Sequence, residues 1–279
     1  MIRPAVVAAV VTLVGGAIAA GAQQPIQAGF HTASDVAIRV WVPTGLVRIV
    51  AWDRDSVDVG GTNGKLGRFF GGGSALQVKL GIEPLDPMNT ALPGADITVR
   101  VPRKARVWVK MTTGHVDADG MAGEVDVSVV GGSVGVRNSR GIIVIESIDA
   151  PVEVSRTDAA LRIRGGKGAV IFHDVGGTAS IATVSGDVIT DGTAPLDATI
   201  ETIGGAITTQ VRGTLDLQTH SGTVTVAVDP ARAPPMLLTA RQGAVRNPYR
   251  NAIGTPTVVA RSFRGDINVV PLGGVKGGK

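Results

Sequence analysis

Three residues in the middle of the chain have the side chains and spacing for chemistry. His173, Asp187 and Asp191 fall in "VIFHDVGGTASIATVSGDVITD". An imidazole beside a carboxylate is an acid-base pair of the kind that cleaves polysaccharides. His173 and Asp191 are 18 residues apart, which is also the beat of the surrounding sequence. If successive segments stack, the two lie on adjacent turns about 5 Å apart, with Asp187 on the same face four residues before Asp191. Their column reads Asp119, Arg137, Ser155, His173, Asp191 and Gln210, and a solvated mixed polar face explains it equally. A catalytic solenoid carries long loops that wall a cleft, and the connections here are short corners. The expectation is therefore no catalytic residues, with His173, Asp187 and Asp191 as the one alternative set.

Other chemistries find less purchase. His31, His115, His173 and His220 share no column of the repeat, so they predict no transition-metal cluster. "GGSVGV", "GGTASI" and "GGAITT" lack the Asp that calcium-bound turns need. Neither a metal nor another cofactor is expected. No Gly-x-Ser-x-Gly elbow, phosphate loop or zinc helix appears. Thr208, Thr223 and Thr225 give only one Thr-x-Thr turn, which β-propensity accounts for.

The elements that would position these residues follow from the beat. Small residues open apolar runs at Gly114, Gly132, Ala150, Gly168, Gly186, Gly205 and Gly222, at steps of 18, 18, 18, 18, 19 and 17. Two positions later stand Val116, Val134, Val152, Val170, Val188, Ile207 and Val224. Five before the opening stand Val109, Val127, Ile145, Ile163, Ile181, Ile200 and Leu217. The residue preceding each of the latter is mostly polar, as with Asp126, Arg162, Ser180 and Asp216. That is the period-two pattern of a strand with one buried face. With 3% aromatic residues, the chain suits thin stacked layers better than one thick core. The prediction is an all-β, single-domain β-solenoid of the β-helix or β-roll kind. Each coil has about 18 residues and two short strands, joined by corners such as Gly131-Gly132 and Gly176-Gly177 where positive φ favours glycine. Irregular β caps close both ends. Glu146 and Arg164 should pair across two coils on the outer face.

The expected division is a signal peptide at 1–22, an irregular β segment at 23–106 and regular coils at 107–228. C-terminal cap coils at 229–272 and a flexible tail at 273–279 complete it. Arg3, the uncharged Ala5–Ala20 stretch and Ala20-Gly21-Ala22 make up the signal, with cleavage after Ala22. Cysteine is absent, which excludes disulfides and a lipidated cysteine anchor. No later stretch is long and apolar enough for a spanning helix, so no membrane span is expected in the mature chain. The net charge of +4 comes without a Lys/Arg run or basic-aromatic interleaving, so nucleic acid is not an expected partner.

"AWDRDSVDV", "ITVRVPRKARVWVKMTTGHVDADGMAGEVDVSV", "TVSGDVIT" and "SFRGDINVV" resemble the bacterial putative-adhesin family of β-strand-repeat domains, an exported domain of unknown function. The likeness runs from about Val36 to Val270, and Ser-Gly-Asp is lost at Ala150-Pro151 and Lys167-Gly168. The resemblance implies surface interaction and supplies no catalytic motif. The resulting expectation is a non-enzymatic cell-envelope scaffold, periplasmic, surface-bound or secreted, that meets an envelope protein or polysaccharide. The alternatives are a carbohydrate-active enzyme or a structural spacer.

Overall fold

The computed structural model describes residues 24–250 and 252–273. The expected signal peptide, and the expected tail beyond Gly273, lie outside the described residues. The fold is all-β: strands make up 64% of it, and the one helical piece among the described residues is a 3-10 turn at Pro230–Arg232. The described residues divide into two compact units with the boundary between Val129 and Val130, and the two stretches use different strand offsets.

The first unit contains β1 (Gln24–His31), β2 (Ala37–Trp41), β3 (Thr44–Trp52), β4 (Ser56–Asn63), β5 (Gly67–Gly73), β6 (Gln77–Pro84), β7 (Gly94–Pro102) and β8 (Arg106–Asp119). β2 and β3 form a bent pair with partners on both edges. β2 pairs in parallel with β6 on one edge and with the start of β8 on the other. β3 does the same with β7 and the end of β8. Antiparallel strands extend this core: β4 on β7, β1 on β4, and β5 on β6. The segment expected to be irregular is thus a mixed sheet. Its off-beat alternation reflects pairing with strands that are distant in sequence. Ile38, Val47, Ile49, Val59, Leu80, Ile97 and Val107 fill the interior, each nearly or fully buried. At the "AWDRDS" corner Arg103 makes a bidentate contact with Asp53, and the Trp52 indole donates to the Ser56 carbonyl at 2.8 Å.

β9 (Glu124–Arg137) runs through the division. The second unit then continues with β10 (Arg140–Ser147), β11 (Val152–Gly165), β12 (Val170–Thr183), β13 (Val188–Asp191), β14 (Leu196–Thr202), β15 (Ile207–Gln210), β16 (Leu215–Thr219) and β17 (Val224–Val228). After the 3-10 turn come β18 (Met236–Ala240), β19 (Val245–Arg246), β20 (Val258–Ser262) and β21 (Ile267–Pro271). Two parallel ladders run through them. One stacks β10, the second half of β11, the second half of β12, β14, β16, β20 and β18. The other stacks the end of β9, the first half of β11, the first half of β12, β13, β15, β17, β21 and β19. Partners are 18, 18, 19 and 17 positions apart up to Leu215, the spacing read in the sequence. Ile145, Ile163, Ile181, Ile200 and Leu217 stack as one buried column.

The offset then jumps to 43, since Val224 faces Ile267. Within the stretch expected to form C-terminal cap coils, the chain adds two strands before the repeat resumes, β18 and β19. They lie on the far edge of β20 and β21, so the resumed repeat is inserted between β16/β17 and β18/β19.

Where β11 turns, burial changes phase from Val152 and Val154 to Thr157, Ala159 and Leu161. Arg156 sits there at φ 47°, in column with Asn138 at 51°, Asp174 at 55° and Gly192 at 116°. Left-handed backbone is costly for most residues and least so for Asn, Asp and Gly. Side chains reinforce the corner. Arg156 Nε donates to Asn138 Oδ1 at 3.0 Å, and Asp174 Oδ1 accepts from the Thr193 and Ala194 amides at 3.0 and 3.1 Å.

The opening small residues have a different reason. A Cβ at Gly222 would strike the Gly205 carbonyl, and one at Gly205 the Gly186 carbonyl. Close backbone stacking selects glycine at these positions, while Gly132, earlier in the same column, and Gly177, at the opposite corner, carry the expected positive φ. Just before it runs a buried hydroxyl column unforeseen in the sequence. The Gly205 and Gly222 amides donate to Thr202 and Thr219 Oγ1, both at 2.9 Å, and the Gly265 amide to Ser262 Oγ at 2.8 Å. Thr183 Oγ1 donates to the Gly186 carbonyl at 2.9 Å. The repeated Thr-x-x-Gly phrase therefore closes each turn from inside, satisfying polar groups that burial would otherwise penalise.

Candidate functional site

His173 and Asp191 stand side by side on paired strands, as the spacing predicted. His173 Nδ1 lies 2.9 Å from Asp191 Oδ1 and 3.0 Å from Oδ2. The side chains are 47% and 44% exposed. Asp187 is engaged elsewhere: its Oδ1 accepts from the Ala206 amide at 2.8 Å, tying one repeat to the next. No hydrogen bond joins Asp187 to the other two among the described residues. The structure thus assembles two of the three residues, and the third serves a backbone. Glu146 and Arg164 face each other across two strands, 3.5 Å apart and exposed, worth about 0–1 kcal/mol. Asp174 and Asp266 have carboxyls held below the usual range. For Asp174 the Thr193 and Ala194 amides and then the Thr193 hydroxyl do this; for Asp266 it is the Ala244 amide and then Arg246. Among the described residues no three His, Cys, Asp or Glu side chains gather to hold a metal ion.

A concavity of the second unit lies elsewhere, in a groove of about 580 Å³. Two rails of side chains flank the buried hydroxyl column. The polar rail is Ala182, Glu201, Gln218, Arg261 and Thr239, stacked in register and exposed. The other rail, one residue past the hydroxyl column, is Val184, Ile203, His220, Phe263 and Arg241. Val184 and Ile203 are 53% and 59% exposed. The His220 imidazole stacks on the Phe263 ring at 4.9 Å and 17°, and the Arg264 guanidinium lies 5.7 Å from that ring's centre. Arg261 is held by Asp216 at 2.8 Å. The Arg241 side chain is exposed and has no ion-pair or hydrogen-bond partner among the described residues.

Sequence reasoning weighed His220 only as a metal ligand. The signal that marks the groove was present, in "THSG" and "SFRG" at the same phase of the repeat. The resumption at Phe263 comes 43 positions after His220, which hid the stacking of their rings.

No family model and no curated protein matches the chain. Among solved structures it is similar to a putative cell adhesion protein from Clostridium sporogenes ATCC 15579, with 10% identity, a TM-score of 0.34, and coverage of 90% of this chain and 99% of that one. It is likewise similar to a putative adhesin from Bacteroides fragilis NCTC 9343, with 10% identity, a TM-score of 0.43 and the same coverage.

Proposed function

We propose that this is a non-enzymatic, exported scaffold of the cell envelope, a β-solenoid that works by lateral contact with a surface. The motif resemblance to the putative-adhesin family belongs to the same reading. The observation that carries it is the pair of parallel ladders stepping 18, 18, 19 and 17 residues, which repeat outward-facing side chains once per coil. Such faces suit contact by many weak polar interactions along a line. The His173–Asp191 pair is read as an exposed surface hydrogen-bonded pair. Asp187, the second carboxylate that cleavage would need, is spent on the Ala206 amide.

Export rests on the segment 1–22, and no helix among the described residues is long and apolar enough to cross a membrane. The proposed division keeps the regular coils at 107–228 with cap segments at 23–106 and 229–272. Periplasmic, surface-bound and secreted placements all fit. The test expresses the whole chain in a Gram-negative host and sequences the product's N-terminus, expected at Gln23. The exported protein is then incubated with envelope fractions and a glycan panel. Retention on envelope material without turnover is the expected result. Depolymerisation of a glycan that disappears in His173→Ala would overturn the non-enzymatic reading.

A further inference from the structure

We propose that the groove between the two rails binds an acidic, carboxylate-bearing polysaccharide lying across successive coils. This rests on the surface-contact reading above and names its site and ligand class. The rails repeat at about the strand spacing of 4.8 Å, a step comparable to one sugar ring, so a linear glycan meets equivalent positions coil after coil. One rail is apolar and aromatic. Ile203 and the stacked His220–Phe263 rings offer apolar surfaces to the C–H faces of pyranose rings. The opposite rail offers amide, hydroxyl and carboxylate groups at Gln218, Thr239 and Glu201 to sugar hydroxyls. The charge asymmetry selects acidic sugars. Arg261 is neutralised by Asp216, but Arg241 lines the groove unpaired and Arg264 sits over the Phe263 ring. Guanidinium groups recognise carboxylates by paired hydrogen bonds.

The backbone argues against an extended peptide. Peptides dock on sheets chiefly through free main-chain groups. Here Ile203, His220 and Phe263 donate their amides to Thr183, Thr202 and Thr219 carbonyls. Their own carbonyls accept from the Ser221, Arg264 and Gln242 amides respectively, and the Val184 carbonyl accepts from Gly204. The main-chain groups of Ile203, His220 and Phe263 are thus used between neighbouring repeats, and recognition along that stretch must come from side chains.

The whole chain is titrated calorimetrically with oligogalacturonate, with a neutral cello-oligosaccharide of the same length, and with polyglutamate. The expected result is that oligogalacturonate binds at least about tenfold more tightly than either other polymer. Arg241→Ala and Phe263→Ala should each weaken that binding by about tenfold or more, while Arg140→Ala leaves it unchanged. Far-UV circular dichroism checks the fold, and Arg241→Ala keeps the test decisive if Phe263→Ala misfolds. Equal binding of polyglutamate, equal binding of the neutral glycan, or insensitivity to Arg241→Ala would overturn the proposal. Envelope retention without oligogalacturonate binding would overturn this site and leave the scaffold reading standing. Loss of both would overturn the two together.

Discussion

In the first unit, β2 and β3 lie between β6/β7 on one edge and β8 on the other. In the second, β20 and β21 lie between β16/β17 and β18/β19. The two arrangements are the same interchange run in opposite chain directions. Three consecutive segments stack with one end segment of the three in the middle. The units differ in how they finish their edges. The first adds antiparallel β5, β4 and β1, the last carrying Pro25, which cannot donate to a further strand. The second stops at β18 and the two-residue β19, with Leu237 half exposed. Very short edge strands are a recognised way to limit edge-to-edge pairing. The last strand among the described residues is also shielded in the second unit, since β21 is held on both edges and cannot peel from one side. In the first unit the first strand, β1, is the edge itself.

The largest expected effect removes each excursion. Deleting residues 231–255 restores an 18-residue step between Val224 and Ile267, which already pair. That variant should keep its β signal and aggregate faster, because β20 and β21 lose their cover. Deleting residues 54–104 gives the same step between Ile38 and Val107, which also pair, but it removes β4 to β7 and leaves β1 without a partner. It should yield no soluble folded protein. Circular dichroism and size-exclusion chromatography compare the two, and equal folding of both would erase the distinction between an appended coil and a built-in one.

A buried charge ranks next. Ile163 is fully buried in the column of the second unit. Ile163→Asp should cost several kcal/mol, enough to melt neighbouring coils, since nothing there would pair with the carboxylate. Arg162→Asp, on the opposite face, should stay within about 1 kcal/mol. Matching melting temperatures for the two variants would contradict the observed alternation. Because coils depend on their neighbours, the effect of Ile163→Asp should spread along the second unit, which hydrogen exchange would reveal.

Glycine separates the units more finely. A Cβ at Gly222 meets the Gly205 carbonyl, while at Gly72 in β5 nothing lies within 4 Å. Gly222→Ala should therefore destabilise by roughly 1–3 kcal/mol. Gly72→Ala should be neutral or stabilising by under about 1 kcal/mol, through the unfolded chain's lost freedom. Denaturant midpoints measure both.

These contrasts also explain what could be read in the sequence. The beat at Gly168, Gly186, Gly205 and Gly222 is local, so register and the Ile145–Ile163–Ile181–Ile200 column were legible before any coordinates. The pairing of Leu215 with Val258 was not. It depends on where the chain returns after β19, a long-range choice that periodicity does not encode. Nothing in the apolar columns marks Thr183, Thr202 and Thr219 as buried, and only the folded repeat shows their hydroxyls turned inward. His173 and Asp191 were placed correctly because they lie on the beat. The partner of Asp187, the Ala206 amide, was not legible because it belongs to the next repeat.

The smallest expected effect concerns two depressed carboxylates. In the first unit Asp53 titrates below its ordinary range through a hydrogen bond from Arg103 and then that residue's charge. In the second, Asp174 is lowered by the Thr193 and Ala194 amides and the Thr193 hydroxyl, with no charged partner among the causes. Both folded pKa values lie below the unfolded value of about 3.9, so each contribution to stability is present above that pH. Each is lost as pH falls through the folded pKa. Salt distinguishes them. At about 1 M the Debye length shrinks to about 3 Å, which weakens the exposed Asp53–Arg103 attraction and leaves amide hydrogen bonds largely intact. Carboxyl titration by NMR should show the Asp53 pKa moving up toward its ordinary range in high salt, while Asp174 stays depressed. Asp174→Asn keeps a side-chain oxygen and tolerates the left-handed backbone, so it should fold normally and lose only this acid-dependent increment. An equal salt response at both sites would mean that the Asp174 corner is held by charge instead of by the amides of the next coil.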